Sequence, residues 1–235
     1  MDIIAPAPWV WGLMGCALGL AIERLVLRLP LSVLAPYQGQ FMATDFQGPG
    51  GGLDLTPSLP RKALLAGLLG LSWLLVAVWQ ADGWIHMAAW TTCVTTLLIL
   101  AFVDWNTTLL PDRLVLPLLW AGVLASERGW THITVSESLW SITAWYAALS
   151  MVTWLYQHLR DQIGMADGDI KLLAAMSAWW GWQPLVWVLL ISSILVLTFA
   201  LTFKKKPLTK YTELPFGPFL VSGVLLWTIA SEVLP

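Results

Sequence analysis

Two aspartates stand where apolar runs meet polar sequence. Asp104 follows the run that ends in Val103, and Asp169 precedes the run that begins at Ile170. Each alone reads as a solvated acid at a helix end, and Asp169 would suit the positive pole of a first turn. Together they suggest chemistry. Two carboxylates on different helices at one membrane face can converge on one water. Like charges a few Å apart do not both ionise comfortably, so one partner keeps a proton. The ionised partner then takes a proton from water, and the protonated one donates to a carbonyl oxygen. That is acid–base hydrolysis of an amide without metal or covalent intermediate.

The rest of the chain must bring these carboxylates to one face. Of its 235 residues 58% are hydrophobic and 11% charged, against about 25% charged in a soluble domain. That composition predicts an all-α integral membrane protein, and the 17 tryptophans suit a membrane–water interface. A spanning helix takes about 20 mostly apolar residues. Apolar segments occur at Trp9–Leu29, Ala63–Gln80, Trp84–Val103, Leu114–Ser126, Ser138–Leu159, Ile170–Trp180, Leu185–Phe203 and Phe216–Val233, so about eight transmembrane helices are expected. The fourth and sixth are short and need flanking residues or a thin, water-filled site to cross. The first segment is read as a retained span, since no basic region precedes it and it runs into Glu23, Arg24 and Arg28. One polytopic domain, 1–235, is the simplest division.

Numbering the loops alternately puts Arg24, Arg28, Arg61, Lys62, Arg113, Arg160, Lys171, Lys204, Lys205, Lys206 and Lys210 on one side and Arg128 on the other. The positive-inside rule then places both termini outside, and Asp104 and Asp169 at the cytoplasmic face. The net charge of −2 predicts no nucleic-acid partner.

Other candidates read as structural. Asp112 follows Pro111 and reads first as an N-cap or first-turn acid. Asp167 and Asp161 read as loop acids. Gly168 lets the backbone approach a partner closely. Lys171 either holds a carboxylate or snorkels to headgroups, with snorkelling the default. Cys16 and Cys93 read as two buried thiols. His86, His132 and His158 fall in separate segments without metal-ligand spacing. Lys204–Lys210 reads as an anchor for anionic lipid, and Glu213–Leu220 as a broken span entry lining a cavity.

Four stretches resemble one family. DWNTTLLPDRLVLPLLW from Asp104, GDIKLLAAMSAWWGW from Gly168, PFGPFL from Pro215 and the glycine-rich opening GLMGCALGLAIERLVLRLP are similar to segments of the type IV prepilin peptidases. The resemblance implies a membrane aspartic endopeptidase of the bacterial inner membrane. It would cut the leader of a prepilin or type II secretion pseudopilin after a glycine and before an aromatic residue. Its catalytic pair would be Asp104 and Asp169, with Gly168, Lys171 and Asp112 in support and the lipid bilayer and the substrate's apolar helix as partners.

The sequence departs from the family pattern at Ala166, where the family has glycine, and at Asn106, where many members have a further acid. Many members also carry two Cys-x-x-Cys pairs in the first cytoplasmic loop, with zinc and an associated N-methyltransferase function. Loop 30–61 holds no cysteine, so no metal is expected, and S-adenosylmethionine only where methyltransferase activity is retained. Two other readings compete: a transporter or proton relay, which would place acids near span centres, and an inactive homologue acting in pilus or secretion assembly.

Overall fold

The computed structural model describes residues 9–17, 67–74, 76, 84–160, 164–203 and 215–233. The 30–61 loop, Asp161 and the Lys204–Lys210 run lie outside them. Among the described residues all regular structure is helical. Two short helical pieces, 9–17 and 67–74, precede six longer helices. These are α1 (Trp84–Thr107), α2 (Asp112–Glu127), α3 (Val135–Arg160), α4 (Asp167–Trp180), α5 (Trp182–Phe203) and α6 (Gly217–Val233). The chain forms two compact units, Met1–Thr95 and Thr96–Pro235.

In the first unit, small residues allow close helix approach. A Cβ on Gly15 would lie 2.8 Å from both the Leu69 carbonyl oxygen and Trp73 Cγ. Glycine at such a crossing is a common device of membrane helices, where dispersion between closely packed backbones holds the pair. The Trp11 and Trp73 rings meet at 6.2 Å between centroids, and Trp73 Nε1 donates to Thr95 Oγ1 at 2.7 Å. Both cysteines are unbridged: Cys93 is buried as expected, whereas Cys16 is partly exposed.

The second unit is organised around α4. This helix has 14 residues, and Ile170 and every residue from Leu172 to Trp179 are buried. A helix apolar all round is stable only when surrounded. α4 packs chiefly against α2 and α3, and also touches α5 and α6. Its side chains are fixed at the end remote from Asp169. Trp179 Nε1 donates to the Leu118 carbonyl of α2 at 3.0 Å, Ser138 Oγ of α3 to the Ala178 carbonyl at 3.0 Å, and Trp180 Nε1 to Thr228 Oγ1 of α6 at 3.1 Å. Gly122 makes the α2–α4 approach possible, since a Cβ there would lie 2.7 Å from Ala178 Cβ. The helix closes at Gly181, whose φ of +81° and ψ of −176° form a conformation essentially restricted to glycine. α5 starts at the next residue, three earlier than its apolar run suggested.

α5 and α6 form a second pair. Ser192 Oγ hydrogen-bonds the Phe219 carbonyl oxygen at 2.9 Å, and Gly223 lies against Ser192 and the Val188 carbonyl. α3 opens with reciprocal capping: Glu137 Oε2 accepts from the Thr134 N–H at 2.8 Å, and Thr134 Oγ1 accepts from the Glu137 N–H at 3.2 Å.

Two described segments, Ile85–Trp105 and Trp182–Thr202, are long and apolar enough to cross a membrane, and Gly217–Ser231 is a shorter apolar helix. α3, at 26 residues, is long enough but interleaves its aromatics with Ser, Thr, Gln and His. Its large apolar groups nonetheless face outward: Trp140 is 74% exposed and Leu159 70%, as Leu201 of α5 is 74%. Such continuous apolar exposure is foreign to a soluble monomer and suits hydrocarbon. These features are those of a helical membrane protein.

Candidate active site

Asp104 lies in the last turn of α1, which runs on past Val103 to Thr107. The helix then ends sharply. Thr108 takes a φ of +52°, an uncommon conformation for a β-branched residue, while its N–H donates to the Asp104 carbonyl at 2.7 Å. Pro111 caps α2 in an extended conformation (φ −71°, ψ 126°), and Asp112 is the first residue of that helix without making a side-chain capping bond. Of the two readings of Asp112, the structure keeps the first-turn acid and drops the N-cap.

Asp169 enters from α4. Ala166 is the N-cap, extended at φ −71° and ψ 142°, so alanine at the family's glycine position requires no unusual backbone. Asp167 is the exposed first residue of the helix rather than a loop acid. Asp169 points the other way and is 8% exposed; Asp104 is 3% exposed. The two carboxylates, from separate helices, lie within electrostatic range of each other.

Three contacts hold this arrangement. The Gly217 N–H, at the start of α6, donates to Asp104 Oδ2 at 2.8 Å. A Cβ on Gly217 would itself lie 2.8 Å from that oxygen, so glycine is what lets the backbone donor reach the carboxylate. Leu110, in the α1–α2 loop, packs against Gly168: a Cβ there would meet Leu110 Cβ at 2.9 Å. Lys171 Nζ donates to both oxygens of Asp112, at 2.9 and 2.8 Å. That last contact corrects the snorkelling expectation, because a cross-helix carboxylate within reach of the ammonium outcompetes a lipid headgroup. Beside Asp104, Trp105 meets Phe199 of α5 at 5.7 Å and Phe219 of α6 at 6.5 Å between ring centroids.

Sequence reasoning put Asp104 and Asp169 at one face, with Gly168, Lys171 and Asp112 in support; the structure pairs Lys171 with Asp112 and seats Leu110 of the α1–α2 loop on Gly168. It missed Gly217. The available signal was the PFGPFL stretch, whose prolines and glycine mark an irregular helix entry where backbone N–H groups are free to bind an anion. Among the described residues no cluster of three His, Cys, Asp or Glu side chains is suited to a metal ion.

Comparison with known proteins shows what the chain is similar to. Residues 91–201 match the type IV leader peptidase family. The chain is 36% identical over 180 residues to a prepilin leader peptidase/N-methyltransferase of Stutzerimonas stutzeri, covering 74% of this chain and 60% of that protein. A protein of the same description from Pseudomonas aeruginosa is 36% identical over 169 residues, covering 70% of this chain and 55% of that one. One from Burkholderia pseudomallei is 38% identical over 138 residues, covering 58% and 44% respectively. The chain thus spans about 60% or less of the length of these relatives. No solved structure matches it significantly. Residues 91–201, which carry Asp104, Asp112, Asp169 and Lys171, are thus the part of the chain that matches the type IV leader peptidase family.

Proposed function

We propose that the protein is a membrane-embedded aspartic endopeptidase that removes the leader of a prepilin or type II secretion pseudopilin. The observation that carries this reading is the pair of buried carboxylates. Asp104 and Asp169 come from different helices, lie within electrostatic range, and sit in the segment similar to leader peptidases. A transporter would need acids near span centres. Asp104 is in the last turn of α1 and Asp169 in the first turn of α4, positions suited to a bond presented at the membrane edge.

In this reading one carboxylate keeps a proton and the other is ionised. The ionised group draws a proton from water as the water oxygen adds to the scissile carbonyl carbon. The carboxylic acid gives its proton to the carbonyl oxygen. The tetrahedral diol collapses, the C–N bond breaks, and the amine leaves with a proton from the dyad. The chain's own residues supply the whole proton inventory, so neither a metal nor another cofactor is needed for cleavage. The proposal covers leader removal alone, since loop 30–61 lacks paired cysteines.

The accompanying topology is one polytopic domain in the bacterial inner membrane. It has eight spans, outward termini and the dyad at the cytoplasmic face, supported by the Lys and Arg distribution. The substrate's apolar helix would lie beside the protease helices within the bilayer. Co-expression with candidate prepilins, read by mass, tests the reading: wild type removes the leader, and Asp104→Asn and Asp169→Asn leave it attached. Cleavage by either variant at the wild-type rate refutes the dyad.

A further inference from the structure

The ion pair between Asp112 and Lys171 joins residues 59 positions apart in sequence. Their side chains remain 35% and 32% exposed respectively. An ion pair that solvent reaches this well adds little to global stability, so its consequence lies in where it pulls. Lys171 is two residues beyond Asp169 on α4. Asp112 begins α2 and is separated from the end of α1, which carries Asp104, by residues 108–111.

That connection is constrained at each step. Thr108 is held at positive φ with its N–H on the Asp104 carbonyl. Leu110 seats against the bare backbone of Gly168, immediately before Asp169. Pro111 has a restricted φ, and Asp112 then grips Lys171 through both carboxylate oxygens. The α1–α2 connection therefore holds α4 on both sides of Asp169, through Gly168 and through Lys171.

We propose that Asp112 and Lys171 are positioning residues that act as one strap and set the separation of the Asp104 and Asp169 carboxylates. Lys171 is not a catalytic residue in this arrangement, because its ammonium is committed to Asp112. The proposal rests on the dyad reading above. Its prediction differs from that of a stability role, since the strap acts on the geometry of the reacting pair rather than on folding or substrate docking. Misplacing a catalytic group by about 1 Å can cost on the order of 100-fold in rate.

The test uses the full-length protein, purified in detergent, with a purified precursor that carries a leader and an apolar helix. Initial rates give kcat and KM for wild type, Asp112→Asn, Lys171→Gln, the double variant and Lys171→Arg, with Tm measured on each. The strap predicts that kcat falls roughly 10- to 100-fold in both single variants, with KM and Tm close to wild type. The double variant is no slower than the slower single, because either change releases the whole strap. Arginine at 171, which also grips a carboxylate with two N–H groups, recovers most of the rate.

A kcat within about twofold of wild type in either single variant overturns the proposal. So does a loss confined to KM, or a double variant whose loss is the product of the singles. A variant too unstable to assay leaves the Arg arm decisive: folded Lys171→Arg at the rate of Lys171→Gln, or undetectable in both, counts against the strap. Asp104→Asn and Asp169→Asn run alongside. Activity in either refutes the dyad itself, whereas inactivity there with Asp112→Asn at the wild-type rate refutes the strap alone.

Discussion

Gly217→Ala perturbs the site by a single methyl group. In the present geometry the new Cβ would lie 2.8 Å from Asp104 Oδ2, 3.1 Å from its Cγ and 3.2 Å from its Cβ. Ordinary carbon–oxygen contact requires several tenths of an ångström more, and the obstacle is a short side chain with little freedom, not the flexible end of a long one. Either the carboxylate rotates away or the first turn of α6 withdraws. Both break the 2.8 Å bond from the Gly217 N–H, a charge-assisted bond of about 1.5–3 kcal/mol when the carboxylate is ionised. Overpacking at such a site costs about 1–3 kcal/mol on its own. The expected result is a fall in kcat for leader removal of at least about tenfold, given the sensitivity of catalysis to displacements near 1 Å, with Tm lowered by a few degrees. The assay is the initial cleavage rate of a purified precursor followed by mass, beside thermal unfolding in the same detergent. An alanine variant with wild-type kcat and Tm would refute the claim that the Gly217 backbone holds Asp104.

Further consequences follow from the helix ends. Gly181→Ala places a side chain at φ +81° with its Cβ 3.2 Å from Ile133 Cγ2, and is expected to cost about 1–3 kcal/mol, read as a lower Tm. Thr134→Ala removes the hydroxyl from the α3 cap and is expected to cost about 1 kcal/mol, with faster amide exchange at Val135–Glu137 as the local signature. Glu137 lies ahead of the apolar run of α3, and its carboxyl is held below the usual range by the Thr134 N–H and then by the Thr134 hydroxyl. A lowered carboxyl stabilises the cap above its unfolded pKa and loses that effect as pH falls through the folded value. Protection of the amides at the start of α3, corrected for the intrinsic exchange rate, should therefore fall on acidification and become insensitive to pH in Glu137→Gln.

Much of the architecture could be read from hydropathy. The apolar runs at Trp84–Val103, Leu114–Ser126, Ser138–Leu159 and Ile170–Trp180 correspond to α1 through α4 within a few residues, because uniformly apolar stretches leave helix as the favourable form. Their ends were less legible. α1 continues past Asp104 because an acidic side chain does not stop a helix; the sharp end comes from Thr108 at positive φ, which no residue-type rule anticipates for threonine. α5 starts at Trp182 because one glycine suffices to turn the chain.

The partners of the site residues were the least legible part. Lys171 looked like a snorkelling cation from its place near a helix start, and only tertiary packing brings Asp112 within 2.9 Å. Gly217 carries no chemistry in its side chain, so a search for reactive groups passed over it. Its contribution is a backbone N–H, available because the first turn of α6 leaves such groups unpaired. The aspartates themselves were legible because ionisable residues at the ends of apolar runs are few in a chain with 14 Asp and Glu in all.

One comparison bears most directly on the paired carboxylates. Wild type, Asp104→Asn and Asp169→Asn are each incubated with the same purified precursor, and the product mass is followed over time. A working dyad gives a mass loss equal to the leader in wild type and none in either variant, although both remain folded. Leader removal at the wild-type rate by Asp104→Asn or by Asp169→Asn would contradict it.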